Sequence, residues 1–176
     1  MERRKMIRLA VGGGLALGAG GMAAFLVSGK GTAELTVDAA LRRIDALLAG
    51  QPVAHGTWPA GLVFHHCAQS IEYSMIGYPQ LKPALFRSTV GPAAFAMFAA
   101  RGGMRHGLAE PIPGAPELDA AATAESGLRR LRAAFAYFRD FQGVLAPHFA
   151  YGPLSKEQYE AAHVMHFWNH LDEISA

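Results

Sequence analysis

The sequence predicts an all-α protein, and three observations carry that prediction. Apolar residues recur at helical spacing in four long segments. Capping residues bracket several of those segments. No run of residues alternates apolar and polar over a strand's length. A four-helix bundle with a long excursion between its second and third helices accommodates the pattern.

The first helix is "TVDAALRRIDALLAG", with Thr36 or Asp38 as its cap and Gly50 as its end. "QPVAHGTWPAG" is a turn, after which Thr57 and Pro59 open a second helix over Trp58 to Ile76, broken by "GYPQLKP". Leu81 to Pro116 is irregular except for a short helical piece, "PAAFAMFAA". The third long helix is expected over Leu118 to Gln142, closed by Gly143. Its "LRRLR" reads as an exposed basic face, and Phe135, Tyr137, Phe138 and Phe141 as core. Ser155, with Gln158 three residues on, is a capping box that opens a last helix running to the C-terminus.

A leader precedes this body. Residues 1–33 begin with a basic cluster and hold an uncharged stretch from Leu9 to Gly29, seven of whose residues are glycine. That length spans a bilayer, but the glycines weaken both helix and hydrophobicity, so an export signal is the better expectation and an inner-membrane anchor the alternative. "RRKMIR", with Arg3, Arg4, Met6, Ile7 and Arg8, resembles the twin-arginine export signal; Glu2 departs from its usual Ser or Thr. The resemblance implies a periplasmic protein whose leader meets the membrane and the export machinery. The chain carries 16 basic and 14 acidic side chains; the leader takes five and one of these, leaving residues 34–176 with 11 and 13, a net of −2. That balance gives no basic surface for nucleic acid. One cysteine, Cys67, precludes an internal disulfide.

The chemistry-bearing stretch is "HVMHFWNH", three of the chain's eight histidines in eight residues. At about 100° per residue, His170 falls about 40° and His163 about 60° from His166, so the three share a face with Tyr159, Asn169 and Glu173. An i, i+4 pair such as His166 and His170 brings two imidazoles to one metal ion, and a further ligand must come from another helix. The second helix offers His65 and His66. His66 shares its face with Leu62, Val63 and Tyr73, whereas His65 lies about 100° away near Glu72, so periodicity favours His66 as the inward ring.

One histidine on the second helix and H-x-x-x-H on the fourth resembles the DinB/YfiT-like superfamily of bacterial metalloenzymes. "HHCAQSIEYSMIGYP" and "HVMHFWNHL" look closest to a branch of it, domain of unknown function 1569, with no assigned activity. The likeness spans Trp58 to Leu171. It implies a bundle holding a divalent metal, zinc or nickel foremost, on His66, His166 and His170, with positions left open. His163 stays outside this triad as second-sphere or pocket lining.

Two functions follow. One is an exported metal-dependent enzyme, of hydrolase or thiol-transferase type by analogy with the superfamily, acting on a small-molecule substrate. The other is a non-catalytic binding or structural bundle of the cell envelope. A homodimer fits either. Cys67 reads as a small buried residue, Glu72 and Glu173 as surface carboxylates with acid/base or ligand roles as the alternative. His106 and His148 lie in connections and read as solvated loop residues, with contact to a ligand at a bundle's open end as the alternative. No phosphate loop, dinucleotide fingerprint, Cys-x-x-Cys or nucleophile elbow is present.

Overall fold

The computed structural model describes residues 34–176, so the export and anchor readings of the leader lie outside the described residues. These residues form six helices and one pair of two-residue strands. No helix among them is long and apolar enough to cross a membrane. The four long helices are α1 (Val37–Ala49), α2 (Ala60–Ile76), α5 (Ala124–Asp140) and α6 (Lys156–Leu171). The excursion holds α3 (Ala84–Ser88) and α4 (Val90–Arg101).

Local chemistry sets most of the boundaries. Thr36 Oγ1 accepts from the Ala39 N–H at 3.2 Å, and Glu160 of α6 accepts from the Val37 N–H at 2.7 Å, so two unpaired donors at the start of α1 are satisfied. Asp38 sits in the first turn, where its charge suits the helix dipole, rather than serving as the cap. The second helix starts two residues later than the sequence suggested. Pro59 occupies the N-cap position without a side-chain bond, its fixed φ of −64° leading into the helix. At α6 the capping box is complete: Ser155 Oγ accepts from the Gln158 N–H at 3.2 Å and Gln158 Oε1 from the Ser155 N–H at 2.8 Å.

The third long helix is shorter than expected. Leu118–Thr123 is not helical, because Asp119 Oδ1 takes the Ala121 N–H at 2.8 Å in a local turn. Thr123 then caps α5 by accepting from the Ser126 N–H at 3.1 Å. The basic face of α5 is exposed at Arg129 and Arg132, as expected, and half-buried at Arg130. Arg129 pairs with Glu125, Arg130 with Glu72 and Arg132 with Asp45, so the charges on this face are matched by acidic partners. Phe135 and Phe138 are core, Phe141 is half-buried and Tyr137 is 62% exposed, facing away from the core.

All four long helices feed one core, built on Ile44 and Leu47 of α1, Phe64 and Ile71 of α2, Leu128, Leu131, Phe135 and Phe138 of α5, and Tyr159 and Phe167 of α6. Each such side chain contributes about 1.5–3 kcal/mol when withdrawn from water. α2 lies closest to α5, and glycines allow it: a Cβ on Gly127 would stand 2.7 Å from the Gly61 carbonyl oxygen and 2.9 Å from the Phe64 Cβ. A second cluster joins Phe95 of α4 and Met104 to Ala162 and Met165 of α6, folding the excursion over that helix. Antiparallel pairing of β1 (Val53–Ala54) with β2 (Ile174–Ser175) ties the segment after α1 to the end of the chain.

Candidate metal centre

The core packing that sets α2 and α6 side by side also sets which histidines meet. His66 on α2 is 3% exposed and His170 on α6 is 2% exposed, while His166 is partly buried. The Nε2 atom of His166 lies 3.2 Å from that of His66 and 3.1 Å from that of His170. All three ligand atoms fall within 4.8 Å of one another. Nitrogens bound to one zinc at 2.0–2.1 Å in a tetrahedron stand about 3.3 Å apart, close to the two short separations here.

The protonation states agree with that use. Burial, reinforced by His106, pushes His66 down to about 4. Burial, then His66 and His106, pushes His170 down to about 2. Burial and the neighbouring imidazoles hold His166 well below its ordinary value. At neutral pH the three rings are uncharged, which is the form that ligates a metal. A neutral imidazole has one N–H and one lone pair. His166 Nε2 faces two other Nε2 atoms at once, and a single proton on it serves one of them well. One cation between the three lone pairs satisfies all of them.

The structure separates the other residues singled out by sequence. His65 points to the surface, where its Nδ1 accepts from Arg130 at 3.2 Å and its Nε2 meets Ser126 Oγ at 3.3 Å. Glu72 is held by two bonds from Arg130, at 2.9 and 2.6 Å. His55 bonds Ser175 at the strand pair. Glu173 lies beside Gly56. Cys67 is buried, and burial pushes its thiol up, so it is not a ready nucleophile. Asn169 does not bond a triad ring; its Oδ1 accepts from the His106 backbone N–H at 3.2 Å.

A cavity of about 220 Å³ opens beside the cluster, and His66 and His166 form part of its wall. His148 and His163 line it further along. His163 Nε2 bonds Ser74 Oγ at 3.1 Å, and because Ser74 gives its proton to the Ile71 carbonyl, His163 is the donor. The Nδ1 atom of His148 accepts from the Ala150 and Tyr151 N–H groups at 3.1 and 3.2 Å, which leaves its proton on Nε2. Burial pushes each of these two rings down to about 3. Lys82 and Glu110 also contribute to the wall.

The sequence reads His148 as solvated and the structure buries it; the same reading fails for His106, whose Nε2 atom is buried. His106 follows α4 in the excursion, where no periodicity indicates a direction. Its ring centroid is 4.9 Å from that of His166 and 5.1 Å from that of His170. The signal was tertiary: Asn169, one residue before His170, holds its backbone.

Neither the curated proteins nor the solved structures contain a match to the chain. The profile of one family, described as a protein of unknown function (DUF1569), matches residues 33–176, which include every helix among the described residues and all the histidines of the cluster. The chain belongs to the DUF1569 family.

Proposed function

We propose that the protein is a metal-dependent enzyme of the cell envelope, built as a four-helix bundle of the DinB type, with a divalent ion held by His66, His166 and His170. The observation that carries this reading is the convergence of three neutral Nε2 atoms from two helices beside a cavity. A bound ion supplies a Lewis acid and a water of lowered pKa. The imidazoles suit zinc or nickel, and also iron and copper. α2 and α6 fix the ligand directions, and the core keeps water from the far side of the cluster. His148 offers an Nε2–H to a small substrate in the cavity. Hydrolysis and thiol transfer are the two reaction classes on offer, and the cavity admits a small molecule rather than a polymer.

Metal analysis of the purified protein, with the His66→Ala variant beside it, tests the site. One equivalent in the wild type and little in the variant supports it; no divalent metal at neutral pH removes it. The leader's arginine pair supports export of the folded protein to the periplasm. Replacing Arg3 and Arg4 by Lys should retain the protein in the cytoplasm, whereas unchanged export turns the reading toward a membrane anchor.

A further inference from the structure

His106 contributes an atom that nothing in the fold uses. Its Nδ1 lies 2.9 Å from the Gly107 carbonyl oxygen. A carbonyl oxygen only accepts, so the ring proton sits on Nδ1. Nε2 then carries a lone pair, and that atom is buried without a hydrogen-bond partner. A buried polar atom left unpaired costs stability unless something else meets it. The ring stands against His166 and His170, and His106 lines the same cavity as His66 and His166. Its backbone is fixed from α6 by Asn169, so the position belongs to the cluster rather than to a free loop.

The three ligand atoms meet one another within 4.8 Å, and His106 is not among them. Its ring flanks those of His166 and His170 at the cavity wall, the side from which a non-protein ligand would reach a bound ion. We infer that His106 is the hydrogen-bond acceptor over that side, so that the centre favours a ligand with an N–H or O–H on, or next to, the atom that meets the metal. The inference rests on the three-histidine metal site proposed above. It assigns a specificity: protic ligands such as water, alcohols and amide-like groups are oriented by His106, and aprotic anions of similar size are not. His106 is thus a positioning and selecting residue and not a fourth ligand.

The test uses the full chain loaded with cobalt(II), whose visible spectrum reports the coordination sphere. Pyrazole binds a metal through one nitrogen and carries N–H on the next; azide carries no proton. Pyrazole affinity should fall roughly three- to tenfold in His106→Ala, the worth of one ordinary hydrogen bond. Azide affinity and cobalt affinity should each change less than about twofold, within the scatter of a removed neutral contact. His106→Gln, whose side-chain oxygen accepts, should restore part of the pyrazole binding. Equal losses for pyrazole and azide overturn the inference. So does a loss of cobalt affinity in His106→Ala as large as that in His166→Ala, which makes His106 a ligand. Absence of cobalt binding by the wild type removes the metal site itself, and with it this role.

Discussion

His66 and His166 are 100 residues apart in the chain and 3.2 Å apart at their Nε2 atoms. Such an approach of two neutral nitrogens requires a proton or a cation between them. His166 makes a second such approach to His170 at 3.1 Å, so a cation is the economical occupant. A bound ion would therefore staple α2 to α6, and its removal should loosen the join between these helices.

The metal content of single variants separates this site from the other histidines. His66→Ala, His166→Ala and His170→Ala should each reduce bound metal from about one equivalent to near zero, since two imidazoles are too few for a stable site. His65→Ala and His55→Ala should leave it unchanged, because these rings bond Arg130, Ser126 and Ser175 instead. Elemental analysis after dialysis decides; equal loss in all five variants means indirect unfolding and counts against the assignment.

The metal-free protein should weaken in mild acid. His148 and His163 ordinarily protonate near 6.5, but burial holds both near 3 in the folded state. Between those values the unfolded chain binds protons that the native state refuses, so stability falls as pH drops from about 6.5 toward 3. The slope approaches about 1.4 kcal/mol per pH unit for each group. Urea midpoints at pH 7, 6 and 5 should decline steadily, and His148→Asn should flatten the decline. A midpoint independent of pH over this range contradicts the burial of neutral rings.

Helix contact at Gly61 yields a change of opposite sign to the usual helix rule. Gly→Ala inside a helix ordinarily gains about 0.5–1 kcal/mol. At Gly61 an added Cβ runs into the backbone carbonyl of Ala122, which cannot move aside as a side chain can. Gly61→Ala should therefore lose about 1–3 kcal/mol. Gly103→Ala, with open space around the new atom, is the control. Thermal unfolding of the two variants reads the difference, and equal melting temperatures refute the close contact.

Ser155→Ala should cost about 1 kcal/mol, or a few degrees in Tm, by leaving the Gln158 N–H without its partner. Ser155→Asp, which caps equally well, should recover most of that loss. Calorimetry of the three proteins checks it, and an unaltered Tm in the alanine variant shows that the box contributes nothing.

What the sequence revealed and what it concealed follow from the range of the forces involved. Thr36, Ser155 and Gln158 act on backbone groups two or three residues away, and their roles were readable. His66 was separable from His65 because helical periodicity sorts apolar from polar faces. The overextension of the third long helix arose because Asp119 competes for its own neighbour's N–H, an effect that apolar spacing does not register. Tyr137 lies among core aromatics in sequence, yet the turn of the helix carries it outward. His106 depended on contacts between the excursion and α6, and no local pattern encodes those.

The distance along the chain between the two halves of the cluster gives it a further meaning. His66 and His166 are separated by 100 positions, and their Nε2 atoms stand 3.2 Å apart. A link that closes a loop of that length removes conformational freedom from the unfolded chain, and the gain grows with the logarithm of the loop. An ion held by both rings would be such a link, and unlike a disulfide it would be withdrawn by a chelator. With one cysteine in the sequence, no internal disulfide can take that place.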